Sequence, residues 1–142
     1  MPTAQQLKDH VIVCGYGLVG EKIVELFQQY HIPFVVVEID KAKADYLKEK
    51  GIPTVWGDAT ASRTLKEAGI EKAKAIAIAT DDDAKNLFIL ITAKSLNEHI
   101  IIATRANSDI VVNKLKEAGA GFVAAPNKSA SDELFRELSK GA

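Results

Sequence analysis

The chain has 142 residues, of which 47% are hydrophobic and 26% are charged, and its formal net charge at pH 7 is −1. These values predict one soluble globular domain, and the near-neutral charge argues against nucleic acid as a partner. The single cysteine excludes an internal disulfide, and the sequence holds no run of about 18 apolar residues that would cross a membrane. We therefore expect a cytoplasmic domain.

The hydrophobic pattern predicts a loose, flexible lead-in at residues 1–8, followed by one lobe at residues 9–142. The predicted strands of this lobe lie at 10–14, 34–38, 54–56, 75–79, 100–104 and 121–124. The predicted helices lie at 18–30, 40–50, 62–68, 81–96, 109–118 and 129–139. This alternation requires right-handed crossovers and places the chain in the α/β class. We predict a Rossmann-like, doubly wound parallel sheet of six strands in the order 3-2-1-4-5-6.

Three glycines with the spacing G-x-G-x-x-G join the first strand to the first helix. The motif consists of Gly15, Tyr16, Gly17, Leu18, Val19 and Gly20. The first glycine permits a tight turn, the second lets a phosphate approach the backbone, and the third lets the helix pack closely against the strand. The amides and the dipole at the start of that helix favour an anion. The motif therefore predicts a phosphate-binding turn.

Glu38 ends the second predicted strand, 18 residues after the last glycine of the motif. A carboxylate there can accept both hydroxyls of an adenosine ribose and would repel a 2′-phosphate, which disfavours NADP. The alternative is a solvated acid at the end of a strand. Ile39 and Asp40 follow, and Asp40 has two compatible roles, as the cap of the second helix and as a contact to the nucleotide.

The third and fourth strands end at the same edge of the predicted sheet, where open parallel sheets bind their ligands. The residues that we expect there are Asp58, Ala59, Thr60, Ala79 and Thr80. The segment from Asp58 to Thr60 either flanks the adenine or forms a turn that caps the next helix.

Arg105 follows the fifth strand and provides a cation at this edge. It either binds a phosphate through two hydrogen bonds or forms an ion pair with one of three aspartates, Asp81 to Asp83. Three adjacent aspartates are also a pattern that can indicate a metal site. Three adjacent carboxylates at a helix start cannot all face one ion, however, and the helix dipole favours acids in that position. We interpret them as the start of a helix.

Candidate catalytic groups are few. Cys14 lies inside the first, buried strand and is expected to pack rather than to react. The three histidines lie at scattered element boundaries, with no acid or nucleophile at a motif spacing, and no Cys/His cluster could hold zinc. We therefore predict a domain that binds a nucleotide without transforming it, rather than an enzyme.

The predicted fourth helix contains five consecutive apolar residues, from Leu87 to Ile91. They surround the helix, whereas packing on one sheet requires only one apolar stripe. Either another element of this chain or a second subunit covers the outer face. Because helices of a doubly wound sheet usually leave that face bare, we favour a homo-oligomer.

Six segments follow one another from about Leu7 to the end of the chain: VIVCGYGLVG, VVVEID, GDAT, AIAIATDDDAKN, IIATRA and GAGFVAAP. Together they resemble the RCK/KTN family, also called TrkA-N, the cytoplasmic regulatory domains of potassium channels and transporters. The resemblance implies a Rossmann-like lobe that binds an adenosine nucleotide, which is NAD or NADH, AMP, ADP or ATP. It also implies homodimers that assemble into a ring at the inner face of the cell membrane.

Two residues depart from the family pattern. Many relatives carry arginine at the position of Leu18, so phosphate binding here would depend on backbone amides and on Arg105. Calcium-gated relatives carry carboxylates after the fifth strand, where this chain has Thr104, Arg105 and Ala106, so we expect no such calcium site. Because full RCK domains continue into a second lobe, we expect this chain to be an isolated N-terminal lobe or a family member that lacks the second lobe. We expect a regulatory domain of a potassium channel or transporter. Two other functions are compatible with the sequence, the similar domain of a potassium/proton antiporter and the cofactor domain of a dehydrogenase.

Overall fold

The computed structural model describes residues 4–140, which form a six-stranded sheet in the order β3-β2-β1-β4-β5-β6 with every pair parallel. The predicted sheet order is confirmed. The strands are β1 (Val11–Cys14), β2 (Phe34–Glu38), β3 (Thr54–Trp56), β4 (Ala75–Ile78), β5 (Ile101–Arg105) and β6 (Phe122–Ala124). The helices are α1 (Leu18–Gln29), α2 (Lys41–Glu49), α3 (Ser62–Glu67), α4 (Asp83–Leu96), α5 (Val112–Glu117) and α6 (Pro126–Leu138). Short 3-10 helices lie at Ala4–Gln6, Ile70–Lys72 and Asp109–Val111.

Strand β1 lies at the centre of the sheet, where Val11 is paired with Phe34 of β2 on one side and with Ala75 of β4 on the other. All residues of β1 and β2 are buried, as expected for β-branched strands that are covered on both faces. The turn that follows β1 therefore lies in the middle of the carboxyl edge of the sheet.

The helices pack on opposite faces of the sheet and form two cores. Buried residues of α3, α4 and α5, among them Leu65, Leu90 and Leu115, belong to the larger cluster. Val24 of α1 and Leu47 of α2 belong to the smaller cluster. Each helix thus covers the strands nearest to it, as the crossovers of a doubly wound sheet require.

The half of the sheet formed by β5 and β6 is covered on one face only. Ile102, Thr104 and Val123 point into the larger core, whereas their neighbours Ile101 and Phe122 are 64% and 63% exposed. Helices α1 and α2 cover the same face of β1 and β2 but leave this part of it open.

Helix α6 differs from its prediction at its start. It begins at Pro126 and not after Ser129, which lies inside the helix. Proline is favourable at the first helical position because its missing N–H would have no partner there and its φ angle is already helical. No residue of α6 is buried within the described chain.

The lead-in also differs from the expectation where it is described. Ala4–Gln6 form a 3-10 helix, and Leu7 is buried in the larger core. Residues 1–3 and 141–142 lie outside the described residues. The lead-in prediction is therefore not tested at residues 1–3. Among residues 4–140, no helix combines the length and the apolar character that a membrane span needs.

Candidate functional site

A cleft of about 520 Å³ opens at the carboxyl edge of the sheet. Twelve of the fifteen predicted site residues line it, namely Gly15, Tyr16, Gly17, Leu18, Glu38, Ile39, Asp40, Asp58, Ala59, Ala79, Thr80 and Arg105. The other three, Val19, Gly20 and Thr60, do not. The lining also includes seven residues that were not predicted, Val37, Lys43, Gly57, Asp81, Asp82, Lys85 and Ile89.

The glycine turn has the geometry that its spacing predicts. Gly15 has φ +95°, a left-handed conformation that favours glycine. A Cβ atom on Gly20 would lie 1.9 Å from the Gly15 carbonyl oxygen, so Gly20 is required for close packing and lies behind the cleft. A Cβ atom on Gly17 would meet nothing within 4 Å. Gly17 is the N-cap residue of α1 and provides no side-chain cap, so the first amides of α1, next to the cleft, have no side-chain acceptor there and suit an anion.

Glu38 is buried, and both of its carboxylate oxygens accept backbone hydrogen bonds. Oε1 accepts from the Tyr16 amide at 2.8 Å, and Oε2 accepts from the Asp40 amide at 2.8 Å. The side chain is 6% exposed, so the alternative of a solvated acid is wrong. Each carboxylate oxygen can accept more than one hydrogen bond, so Glu38 can brace the glycine turn and still accept a ribose hydroxyl.

Asp40 and Ile39 form the rim of the cleft next to Glu38. Asp40 caps α2 through a hydrogen bond from the Lys43 amide to Oδ2 at 3.3 Å, which confirms one of its two predicted roles. The Ile39 carbonyl accepts a hydrogen bond from Trp56 Nε1 at 3.0 Å. The side chain of Ile39 is about half exposed and offers an apolar surface at the mouth of the cleft.

Asp58 closes a local turn. Its Oδ1 atom accepts from the Thr60 amide at 2.9 Å and from the Thr60 hydroxyl at 2.8 Å. These two donors, with a smaller contribution from the positive charge of Lys85, hold the pKa of Asp58 below its usual value. The predicted turn is present, and Asp58 and Ala59 line the cleft as well, whereas the side chain of Thr60 is used inside the turn.

Arg105 and Lys85 are half-buried cations that line the cleft. Neither has a carboxylate oxygen within 4 Å among the residues that the structure describes. The predicted ion pair between Arg105 and Asp81, Asp82 or Asp83 is therefore absent from the described chain. Both cations remain available for a ligand that carries negative charge.

The three adjacent aspartates face different partners. Asp82 caps α4, because its Oδ1 accepts from the Lys85 amide at 3.1 Å. Asp83 accepts from the Asn107 amide at 2.7 Å, and Asp81 is exposed. Within residues 4–140, no group of three His, Cys, Asp or Glu side chains is arranged to hold a metal ion.

Two of the lining residues that were not predicted are Lys43 and Lys85. They lie in the first turns of α2 and α4. Helices that follow parallel strands begin at the carboxyl edge, so cations in their first turns could have been assigned to the cleft. Cys14 and His10 are both buried and do not line the cleft. Burial raises the pKa of the Cys14 thiol, so this residue packs in the core as predicted.

Comparison with known proteins gives relatives among channels and antiporters. Potassium channel protein 1 of Methanocaldococcus jannaschii is 38% identical over 96% of this chain and 41% of its own length. The putative cation/proton antiporter YbaL of Escherichia coli is 31% identical over 81% of this chain and 21% of its own length. The chain thus spans less than half of either relative.

Solved structures have the same fold. The crystal structure of the TrkA-N domain of YbaL covers 94% of this chain and 99% of that domain, with a TM-score of 0.89 and 28% identity. The match to the crystal structure of the GsuK RCK domain covers 84% of this chain and 26% of the GsuK chain, with a TM-score of 0.72 and 32% identity. The GsuK channel bound to NAD has the same fold, with a TM-score of 0.77 and 23% identity over 87% of this chain and 23% of that one.

The TrkA-N domain matches this sequence over residues 11–126, from the start of β1 to the first residue of α6. That match takes in every strand of the sheet and every element that lines the cleft. The chain belongs to the TrkA-N domain family.

Proposed function

We propose that this domain binds an adenosine nucleotide and thereby controls potassium flux through a membrane channel or transporter. The observation that carries the proposal is the combination, in one cleft, of an uncapped helix start after a glycine turn and a buried carboxylate at the end of β2. Relatives that contain this domain are a potassium channel protein and a putative cation/proton antiporter, and the GsuK channel of the same fold binds NAD.

The cleft offers a complementary group for each part of such a ligand. The first amides of α1 receive a phosphate, and Glu38 accepts the ribose hydroxyls. The adenine lies between Ile39 and the loop at Asp58 and Ala59. Arg105 supplies the positive charge that the glycine turn lacks because Leu18 occupies its fourth position.

Regulation requires that the ligand bind two arrangements of the domain with different affinity. We propose that the arrangements belong to a homodimer that can extend to a ring, with the outer face of α4 in the interface. Phe88 and Ile91 on that face are 59% and 50% exposed, whereas Ile89 and Leu90 on the opposite face are fully buried. The helix therefore has apolar residues beyond those that its own core uses.

The domain would work at the cytoplasmic face of the membrane and would not act as an enzyme. Among the described residues that line the cleft there is no serine, cysteine or histidine, so binding is the chemistry that the cleft supports best. Two kinds of membrane partner are compatible with the relatives, a channel and an antiporter. The similarity to YbaL supports an antiporter as strongly as the similarity to GsuK supports a channel.

Calorimetric titration of the domain with NADH, NAD, ATP, ADP and AMP tests the binding step. We expect saturable binding of at least one nucleotide and no binding of inorganic phosphate alone. A folded protein, as judged by circular dichroism, that binds none of the five would contradict the proposal. Proton movement opposite to potassium movement, measured on the membrane protein that carries the domain, would identify an antiporter.

A further inference from the structure

Asn86 is a fully buried polar residue on the first turn of α4, and it does not line the cleft. Its side chain makes three hydrogen bonds. Nδ2 donates to the Thr80 carbonyl at 3.1 Å and to the Arg105 carbonyl at 3.1 Å, and Oδ1 accepts from the Thr80 hydroxyl at 2.5 Å. Both amide hydrogens and the amide oxygen are thus in use.

These bonds join the ends of two neighbouring strands just beyond their last backbone pair, Ile78 with Thr104. Thr80 follows β4, whereas Arg105 is the last residue of β5, so one amide group spans both. Asn107 supports the same point, since its Nδ2 donates to the Thr80 carbonyl at 3.2 Å and to Asp83 Oδ1 at 3.0 Å. The wall of the cleft between β4 and β5 is therefore held by side chains of α4 and of the loop after β5.

Thr80 also adjoins the glycine turn. A Cβ atom placed on Gly15 would lie 3.3 Å from Thr80 Cγ2 and 3.4 Å from the Thr80 amide nitrogen. A shift of Thr80 would therefore disturb the turn that receives the phosphate. Since Asn86 also fixes the backbone of Arg105, it controls both the amides and the cation on the phosphate side of the cleft.

We propose that Asn86 is a positioning residue, which fixes Thr80 and Arg105 so that the Arg105 guanidinium faces the phosphates bound at the glycine turn. This inference rests on the proposed function. An amide suits the position, because a carboxylate would face two carbonyl oxygens and an apolar side chain would remove one donor from each of them in a buried place.

The same helix offers a matched control. Asn97, which caps the C-terminal end of α4, donates through Nδ2 to the Ile70 carbonyl at 3.0 Å and to the Ala73 carbonyl at 3.2 Å. It thus has two backbone acceptors, as Asn86 has, but these lie before β4, at the amino edge of the sheet. Removal of either side chain costs buried hydrogen bonds, and only one of the two sites adjoins the cleft.

The test compares Asn86→Ala with Asn97→Ala, each measured for thermal unfolding and for ADP and adenosine affinity by calorimetry. Both variants should unfold at lower temperature than the wild type. Asn86→Ala should weaken ADP binding by at least about tenfold, the loss expected when a phosphate loses one charged partner, and adenosine binding much less. Asn97→Ala should leave the affinity for ADP within about twofold of the wild type. Equal effects of the two variants on ADP binding would overturn the inference.

A double-mutant cycle separates positioning from a general loss of order. If Asn86 acts through Arg105, the combination of Asn86→Ala with Arg105→Ala should weaken ADP binding hardly more than Arg105→Ala alone. If the loss of ADP affinity in the double variant equalled the product of the two single losses, a role of Asn86 through Arg105 would be contradicted. The cycle with Asn97→Ala, in contrast, should be multiplicative.

Should Asn86→Ala fail to fold, the wild type provides a second measurement. Addition of ADP should shift the side-chain amide resonances of Asn86 in nuclear magnetic resonance spectra and leave those of Asn97 in place. ADP binding without a shift at Asn86 would overturn the inference while leaving the proposed function intact. A wild type that binds no nucleotide would overturn both, because no ligand would then need a positioned cation.

Discussion

The two halves of the sheet are built for different tasks. Strands β1 and β2 are buried on both faces, and their ends carry the glycine turn and Glu38. Strands β5 and β6 alternate between buried and open residues, with Ile101 and Phe122 facing outward. The first half is buried on both faces, whereas the second leaves apolar surface that nothing within residues 4–140 covers. We infer that ligand binding depends mainly on the first half and assembly on the second.

The largest effect is expected at the packing contact of the first half. Gly20→Val would place a side chain against the Gly15 carbonyl oxygen, which lies 1.9 Å from the position of a Cβ atom. Overpacking of this kind displaces backbone, and we expect a loss of more than about 3 kcal/mol of unfolding free energy or no folded protein. Thermal and urea unfolding measure it.

The matched control for that change is Gly17→Ala. Its Cβ atom would meet nothing within 4 Å, and the φ angle of Gly17 is −91°, which alanine adopts readily. This variant should fold with nearly unchanged stability. If both variants were equally stable, close packing of α1 on the glycine turn would not be what requires glycine at position 20.

The second largest effect concerns the ligand. Glu38→Ala should weaken adenosine-nucleotide binding by about 1–3 kcal/mol, because ribose hydroxyls and two backbone amides lose their acceptor. Calorimetry with the best nucleotide of the five measures it. Glu49→Ala, at the exposed C-terminal end of α2, is the control and should bind as the wild type does. Unchanged affinity in Glu38→Ala would place the ribose elsewhere.

The third prediction concerns α4, which packs on β4 and β5 through Ile89 and Leu90 and leaves Phe88 exposed. Phe88→Asp should dissociate the proposed dimer, because a charge would be buried in an apolar interface, and should leave the monomer folded and able to bind nucleotide. We expect dimer affinity to fall by about 100-fold or more, the order of a hot-spot loss, in sedimentation experiments. Tyr30→Asp, at an exposed aromatic residue after α1, is the control. Dissociation by both variants would contradict the division between the halves.

The smallest effect is a pH dependence at Asp58. Its pKa is lowered in the folded chain, so its contribution to stability is present above the unfolded value of about 3.9 and is lost as the pH falls through the folded value. Asp58→Asn should therefore cost less than about 1 kcal/mol at pH 7, since the turn is open to solvent. The difference from the wild type should vanish in urea unfolding below the folded pKa. A constant difference at all pH values would exclude a charge effect.

The order of the sheet and the position of the cleft follow from local sequence. Apolar runs such as Phe34–Glu38 match the observed strands, and the glycine spacing locates the tight turn between β1 and α1. Local pattern was insufficient at α6, where Ser129 resembles a cap although Pro126 begins the helix. An N-cap residue must itself be extended, as Ala125 is, and that backbone conformation depends on where β6 ends.

The far wall of the cleft was harder to predict. Two roles for Arg105 were equally compatible with the sequence, and only the distances to neighbouring carboxylates exclude the ion pair among the described residues. Asn86 was visible only as part of a conspicuous helix start. Its function depends on two carbonyls that are 6 and 19 residues away along the chain, so no short pattern encodes it. Tertiary hydrogen bonds of this kind can be recognised only in a folded structure.

The central position of β1 has a consequence for synthesis of the chain. During synthesis β1 emerges before the other strands of the sheet, yet one of its two partners, β4, is not complete until Ile78 has left the exit tunnel. Until then a nascent chain carries an apolar strand with one open edge, which is a template for wrong pairing. Such non-local pairing also slows folding. We expect a nascent chain that ends before β4 to depend on chaperones, and the glycine turn to take its final shape only when Thr80 arrives beside it.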